Sequence, residues 1–286
     1  MFDEVYHLLK PERLTEVVDI GANPVDGEPP YKGLLEFGLC RVTGFEPQSY
    51  ALSKLNDHKT ANETYLPHVI YDGEMHDLHI CHGSGMTSLF EPDPAQFALF
   101  SQLAPLARVV RKERLATRRL DDIDEIENID VLKIDVQGSE LGVFQSGRKK
   151  LANAVAIQTE VSFTKLYKDQ PGFGEIDLEL RAQGFVPHCF ADLKKWPITP
   201  YQTGNNNDPL NHILEADMVY VRDFARPETL SDEQLKHLAL IAHYFYLSFD
   251  LALRLLVVLV NRNAIPRDHV RAYLTHISQI NVPRPI

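Results

Sequence analysis

Cysteine is scarce in this chain. Only Cys40, Cys81 and Cys189 occur in 286 residues, too few and too scattered for a disulfide framework or a paired-cysteine metal knuckle; they read as small buried hydrophobes. Positive charge is also short. Lys and Arg number 29 against 40 Asp and Glu, a formal charge of −11. That balance argues against a nucleic-acid binder, which must neutralise phosphates, and against a protein held on anionic lipid. No apolar run is long enough to span a bilayer, which takes about 20 residues; the best stretch, Phe249 to Val260, carries Asp250 and Arg254. The first residues lack a basic stretch followed by an apolar one, so no signal peptide is read there, and the expectation is a soluble cytoplasmic protein. The glycine-rich GxGxxG turn of nicotinamide-binding domains is missing too, as are internal repeats and low-complexity tracts.

What remains is an ordinary globular composition, 44% hydrophobic and 24% charged. Short β-type runs alternate with helical stretches to about residue 223. The pattern predicts strands at residues 16–20, 41–45, 69–71, 131–134, 155–159, 184–190 and 216–222, an antiparallel strand at 76–81, and a charged edge strand at 109–120. Helices are predicted from Gln48, over 138–151 and over 176–183. Such alternation implies a doubly wound α/β sheet with helices on both faces. The acidic run from Asp121 to Asp130 has apolar residues every third place (Leu120, Ile123, Ile126, Ile129) and reads as a solvated turn or short helix before a core strand. From Ala225 onward the chain changes character. Seven basic and five acidic residues follow, leaving −13 for residues 1–224. Ser231 starts an amphipathic helix with acids in its first turn, and further helices run through Leu251–Val260 and from Pro266. We therefore divide the chain into a sheet domain, residues 1–224, and a helical C-terminal extension, residues 225–286. The extension is expected to pack on the sheet or to form a homodimer, because Leu251 to Val260 is apolar nearly all round. The segment from Gln202 to Pro209, rich in turn formers, is the expected mobile loop.

Five predicted strands end in a carboxylate: Asp19, Glu46, Asp72, Asp135 and Glu160. In an open α/β sheet, ligands bind at those carboxyl ends. The strongest local pattern is Val17-Val-Asp-Ile-Gly-Ala-Asn. Gly21 lets a ligand approach the backbone, and Asn23 offers both a donor and an acceptor. Asp26 and Glu28, with Pro24, Pro29 and Pro30, crowd the following turn. Acids there repel a pyrophosphate but suit a cationic ligand; S-adenosylmethionine carries an ammonium and a sulfonium. Glu46, 25 residues after Gly21, falls where a carboxylate takes the ribose hydroxyls of an adenosine ligand.

Together, Val18-Asp-Ile-Gly-Ala-Asn, Gly44-Phe-Glu-Pro, Leu120-Asp-Asp-Ile, Leu132-Lys-Ile-Asp-Val-Gln-Gly-Ser-Glu, Ile157-Gln-Thr-Glu-Val and Asp217-Met-Val-Tyr-Val-Arg resemble the FkbM-type methyltransferases. The match runs in family order over roughly residues 15–223. The resemblance implies a Rossmann-like methyltransferase sheet of seven strands, the last antiparallel, with S-adenosyl-L-methionine as cofactor. It further implies O-methylation of a hydroxyl on a small molecule, sugar or glycan, or natural product. One departure stands out: Val25 occupies the place where the family usually has a second glycine, and Gly27 comes two residues later.

For cofactor binding the candidates are Asp19, Gly21, Asn23, Glu46, Asp72 and Asp135. Methyl transfer needs an aligned oxygen nucleophile and a base for its proton. Asp135 and Glu160 end neighbouring strands, and like-charge repulsion would raise one of their pKa values. His188 and His212, near the ends of later strands, are further catalytic candidates. The carboxylate pair would also suit a divalent metal, though no pattern indicates one, and no metal ligands are assigned. His76, His79 and His82 share a strand without a completed zinc set. Glu140 is read as a helix cap, and Ser84 to Ser88 as a substrate-side lid. Two other classes compete with the methyltransferase: a nicotinamide-dependent oxidoreductase, and a non-catalytic Rossmann-fold binding or assembly protein.

Overall fold

The computed structural model describes residues 3–23, 27–201 and 210–280. The loop expected to be mobile, 202–209, and the turn at Pro24–Asp26 lie outside the described residues. The main sheet contains β1 (Thr15–Ile20), β2 (Cys40–Phe45), β3 (Glu63–Leu66), β4 (Val131–Ile134), β5 (Ala156–Ser162), β6 (Phe185–Lys195) and β7 (Ile213–Arg222). Their spatial order is β6-β7-β5-β4-β1-β2-β3. Strands β3, β2, β1, β4 and β5 are parallel, and β7 runs antiparallel between β5 and β6. This is the doubly wound seven-stranded sheet with an antiparallel last strand expected from the sequence.

Two strand positions differ from expectation. The third strand of the main sheet is Glu63–Leu66, not residues 69–71; Ile70–Tyr71 instead pairs with Arg118–Arg119 in a separate two-stranded ribbon. Met75–Cys81, expected as an antiparallel strand, and Val109–Ala116, expected as a charged edge strand, pair with each other in a second two-stranded ribbon outside the main sheet; the second strand is charged and mostly exposed.

Side-chain alternation along the strands separates two cores. One face carries Val18, Ile20, Leu132, Ile134, Ile157 and Tyr220. It is covered by α5 (Glu140–Ser146) and α6 (Phe173–Ala182); α3 (Ser49–His58) follows β2, and the short α4 (Pro94–Phe97) precedes the Val109–Ala116 strand. The apolar residues of the acidic run, Leu120, Ile123, Ile126 and Ile129, are buried in the same cluster. Its last acid is not solvated: Asp130, 1% exposed, accepts from both guanidinium nitrogens of Arg13 and from the Glu16 N–H. The other face carries Val17, Val42, Val131, Val219 and Val221. It packs against α1 (Glu4–Leu9), α2 (Lys32–Glu36) and the C-terminal helices α7 (Asp232–Tyr244), α8 (Phe249–Asn261) and α9 (Asp268–Ser278). Helix α7 opens with a capping box between Ser231 and Gln234, which satisfies two otherwise orphaned backbone donors.

Residues 231–278 are thus one of the two helical layers of the sandwich. Leu251, Ala252, Leu255, Leu256 and Leu259 of α8 are buried within the chain. The apolar demand that suggested a partner subunit is largely met internally; Val257, 41% exposed, is the main apolar residue that α8 leaves to solvent. No helix among the described residues is long and apolar enough to cross a membrane.

Candidate functional site

The carboxyl ends of β1, β2 and β4 border a cavity of about 550 Å³, within the ~300–1,000 Å³ range of small-molecule sites. Gly21 turns the chain out of β1 at φ +83°, and a Cβ there would stand 1.9 Å from the Asp135 carbonyl oxygen. Only glycine fits this contact. Backbone bonds tie the turn down: Gly21 and Ala22 donate to the Phe45 carbonyl and Asp135 donates to Ile20. The ends of three strands thus form one rigid edge.

Asp19 is 2% exposed and lines the cavity floor. It accepts from the Tyr31 hydroxyl at 2.7 Å and pairs with Lys133 Nζ at 3.1 Å, so its charge is compensated, as a buried carboxylate requires. Glu46, at the end of β2, is also 2% exposed. Its Oε1 accepts from the Gln48 N–H at 2.7 Å, and Oε2 has no hydrogen-bond partner among the described residues. Burial pushes this carboxyl up to about 7, against the Gln48 N–H, with the charge of Asp19 adding to the rise. Asn23 and Asp135 line the same cavity.

Beyond Asp135 the turn is strained. Gln137 sits at φ +54° and Gly138 at φ +108°, and left-handed backbone at a non-glycine residue concentrates at functional sites. The Gln137 amide nitrogen donates to Asp135 Oδ1 at 3.0 Å and to Glu160 Oε2 at 2.9 Å. The Tyr167 hydroxyl, 3.0 Å from Gln137 Oε1, orients the amide that way. Ser88 Oγ donates to the Gln137 carbonyl at 2.7 Å, which ties the 84–88 loop to the site; Ser84, Thr87 and Ser88 line the cavity.

Glu160 lies behind this layer, bound to Lys194 Nζ at 3.2 Å, while Lys194 also holds Glu215 at 3.0 Å. Burial holds the Glu160 carboxyl well above the usual range, and the charges of Asp135 and Glu215 add to it. This is the direction expected for the Asp135–Glu160 pair, although burial is the first cause. Carboxylate oxygens of Asp135, Glu140 and Glu160 lie within 4.8 Å of one another. Protein N–H groups already meet them: Glu140 Oε1 accepts from Val136 N at 3.0 Å and Gly138 N at 3.2 Å. Glu140 therefore braces the turn, as its place at the start of α5 suggested, and burial pushes its carboxyl up to about 7.

Besides Glu160, which lies behind the cavity wall, three further sequence candidates are not brought to the cavity. Asp72 accepts from the Glu74 N–H and from Thr117 Oγ1 and bonds His76, closing its own turn. His188 bonds Ser248 Oγ at 2.5 Å and packs edge-on to Phe224, facing the C-terminal helices. His212 bonds Thr164 Oγ1 at 2.9 Å and stacks on Phe100 at 5.7 Å between ring centroids. Each is a satisfied structural polar group. Sequence reasoning missed Gln137, Gln158 and Asp217; Gln158 and Asp217 line the cavity from β5 and β7. Gln137 and Gln158 had a faint signal as polar residues inside otherwise matching motifs.

A profile of the methyltransferase FkbM domain matches residues 19–187, more than half the chain. The chain belongs to the FkbM methyltransferase domain family. That match spans β1 to the start of β6 and includes Gly21, Glu46, Asp135 and Glu160. No curated protein matches the sequence. Among solved structures, magnesium protoporphyrin IX methyltransferase from Synechocystis PCC 6803 with bound SAM is similar. It shares 10% identity at TM-score 0.40, with 78% of each chain covered. Precorrin-6y C5,15-methyltransferase from Geobacter metallireducens shares 11% identity at TM-score 0.36, covering 77% of this chain and 84% of that one. A putative tRNA (m1A22) methyltransferase from Streptococcus pneumoniae shares 10% identity at TM-score 0.36, covering 96% and 94%. Likeness at this level assigns no residue a role.

Proposed function

We propose that this FkbM-family protein transfers a methyl group from S-adenosylmethionine to a hydroxyl of a small molecule, sugar or natural product. The observation that carries the reading is Glu46. A buried carboxylate with one free oxygen, at the end of the strand after the Gly21 turn, suits two vicinal ribose hydroxyls. The rest of the donor set fits the same ligand. Gly21 leaves backbone room, and Asp19, Glu28, Glu46, Glu63, Asp135 and Asp217 make the lining acidic, which favours a cationic cofactor over a pyrophosphate. When bound, that cofactor supplies an electrophilic sulfonium methyl group. The protein's own part is orientation and proton removal: the rigid edge of β1, β2 and β4 holds the donor, and the cavity beyond Asp135 takes the acceptor.

Isothermal titration with S-adenosylhomocysteine tests this. One site per chain is expected, lost or weakened at least tenfold in Glu46→Ala, with no binding of NADH. Equal affinity in Glu46→Ala removes the ribose assignment, and NADH binding in place of S-adenosylhomocysteine overturns the reading.

A further inference from the structure

Three carboxylates lie on the acceptor side, and their surroundings differ. Asp135 Oδ1 is taken by the Gln137 amide. Glu160 does not reach the cavity wall and is tied to both Gln137 and Lys194. Asp217 lines the cavity and has no hydrogen-bond partner among the described residues. Gln158 complements it. This residue is 7% exposed, lines the same cavity, and its Oε1 accepts from the Tyr246 hydroxyl at 3.2 Å. Tyr246 comes from the linker between α7 and α8. A hydroxyl donor on Oε1 turns the amide nitrogen away from the tail, and that nitrogen has no hydrogen-bond partner among the described residues. It is an unused donor on a nine-tenths-buried side chain that opens on the cavity, where a ligand can take it.

Register puts the two groups together. Asp217 stands opposite Glu160, two residues along the same face from Gln158, so the pair are diagonal neighbours about 7–8 Å apart at Cα. A free acceptor and a free donor facing one space match an alcohol, whose oxygen both donates and accepts.

We propose that Asp217 and Gln158 form the acceptor subsite, with Asp217 the base that takes the proton of the acceptor hydroxyl. The assignment rests on the methyltransferase reading above. The Gln158 amide donates to the acceptor oxygen and orients it. In the transfer an oxygen lone pair forms the new C–O bond. The S–C bond breaks, its electrons returning to sulfur to leave a neutral thioether. The hydroxyl proton passes to the Asp217 carboxylate and from there to water.

The charged and titratable groups around Asp217 are Lys133 of β4, Asp135 just beyond it, Glu160 of β5, Lys194 and Asp192 of β6, Glu215 of β7 and Tyr246 of the tail. Burial pushes the Asp217 carboxyl up to about 6; Asp135 and Asp192 add to the rise, while Lys194 and Lys133 oppose it. At neutral pH the group is ionised yet more basic than a surface aspartate, which suits a general base.

The test uses the full chain as wild type, Asp217→Asn, Asp217→Glu and Gln158→Leu. S-adenosylhomocysteine affinity is read by calorimetry. Methyl transfer from tritium-labelled S-adenosylmethionine is read with the active fraction of a small-molecule cell extract, across pH 5–9. Thermal melts confirm folding. Both Asp217→Asn and Gln158→Leu are expected to bind S-adenosylhomocysteine within about twofold of wild type. Asp217→Asn should lose about 100-fold or more in kcat and the acid limb near pH 6, with partial recovery in Asp217→Glu. Gln158→Leu should raise the apparent KM several-fold and keep the limb. A tenfold loss of S-adenosylhomocysteine affinity in either variant gives the pair to the cofactor and overturns the proposal. So does wild-type turnover and pH profile in Asp217→Asn. A wild type that binds no S-adenosylhomocysteine and transfers no methyl overturns the functional reading first, and this assignment with it.

Discussion

Glu46→Gln is expected to make the protein more stable and less able to bind. Burial lifts the Glu46 carboxyl from 4.5 to about 7. Each pKa unit corresponds to about 1.4 kcal/mol, so holding the ionised form in the fold costs about 3 kcal/mol. Below about pH 4.5 the group is protonated in both the folded and the unfolded chain, and the cost is nil. Between about pH 4.5 and 7 the unfolded chain ionises first, and the fold loses the full amount; above 7 the loss stays constant. Glutamine never ionises, and its Oε1 can still accept from the Gln48 N–H. Glu46→Gln should therefore melt higher than wild type at pH 8, by about 6 °C at about 2 °C per kcal/mol for a chain this size. At pH 5 the two should melt within about 2 °C. A bond to a charged group contributes about 1.5–3 kcal/mol, so S-adenosylhomocysteine affinity at pH 8 should fall about 30-fold. Thermal melts at the two pH values and calorimetry at pH 8 check both halves. A melting gap equal at pH 5 and pH 8, or a wild type more stable at pH 8, refutes the claim that Glu46 is an uncompensated buried acid.

Gly21→Ala puts a methyl group into the Asp135 carbonyl and strains a left-handed residue. It should cost about 3 kcal/mol and abolish S-adenosylhomocysteine binding, read by melting and titration. His188→Ala and His212→Ala should each leave that affinity within about twofold while costing about 1–2 kcal/mol of stability; a tenfold affinity loss would return either residue to the site. Arg222 donates to the carbonyls of Ala154, Gln183, Leu151 and Ala152 and lies over the Phe185 ring. Arg222→Met should destabilise by about 3 kcal/mol, measured by urea unfolding, with S-adenosylhomocysteine affinity unchanged for the folded fraction.

The strands at 15–20, 40–45 and 131–134 are legible because each has a short β-forming centre (Val17-Val18, Val42-Thr43, Val131-Leu132) closed by an acid or a glycine. Glu63–Leu66 is not. As the edge strand beside β2 it is only half-buried, so Glu-Thr-Tyr-Leu carries little apolar signal, and the neighbouring Val69-Ile-Tyr71 reads as the better strand. The same contrast runs through the site. Asp19, Gly21, Glu46 and Asp135 sit where strands stop, and a stop leaves a mark in sequence. Gln158 and Asp217 sit inside strands. Their roles depend on register between β5 and β7 and on Tyr246 reaching back from the tail, which no local pattern encodes. His188 misled for a related reason. β6 runs on to Lys195, and Asp192 is the residue that pairs with cavity-lining Asp217, so His188 lies in the first part of the strand and meets Ser248 rather than the cavity.

The C-terminal layer has a consequence for how the chain matures. Val17, Val42, Val131 and Val219 span nearly the whole sequence, yet the side chains that cover them include Leu235, Leu238, Leu255 and Leu259. Until α7 and α8 have left the ribosome, that face of the sheet is covered only by α1 and α2, and the nascent chain must carry the remaining apolar surface in water or on a chaperone. A stop codon between residues 188 and 259 would therefore release the entire family-matched region, 19–187, as an aggregation-prone fragment rather than as a smaller working enzyme.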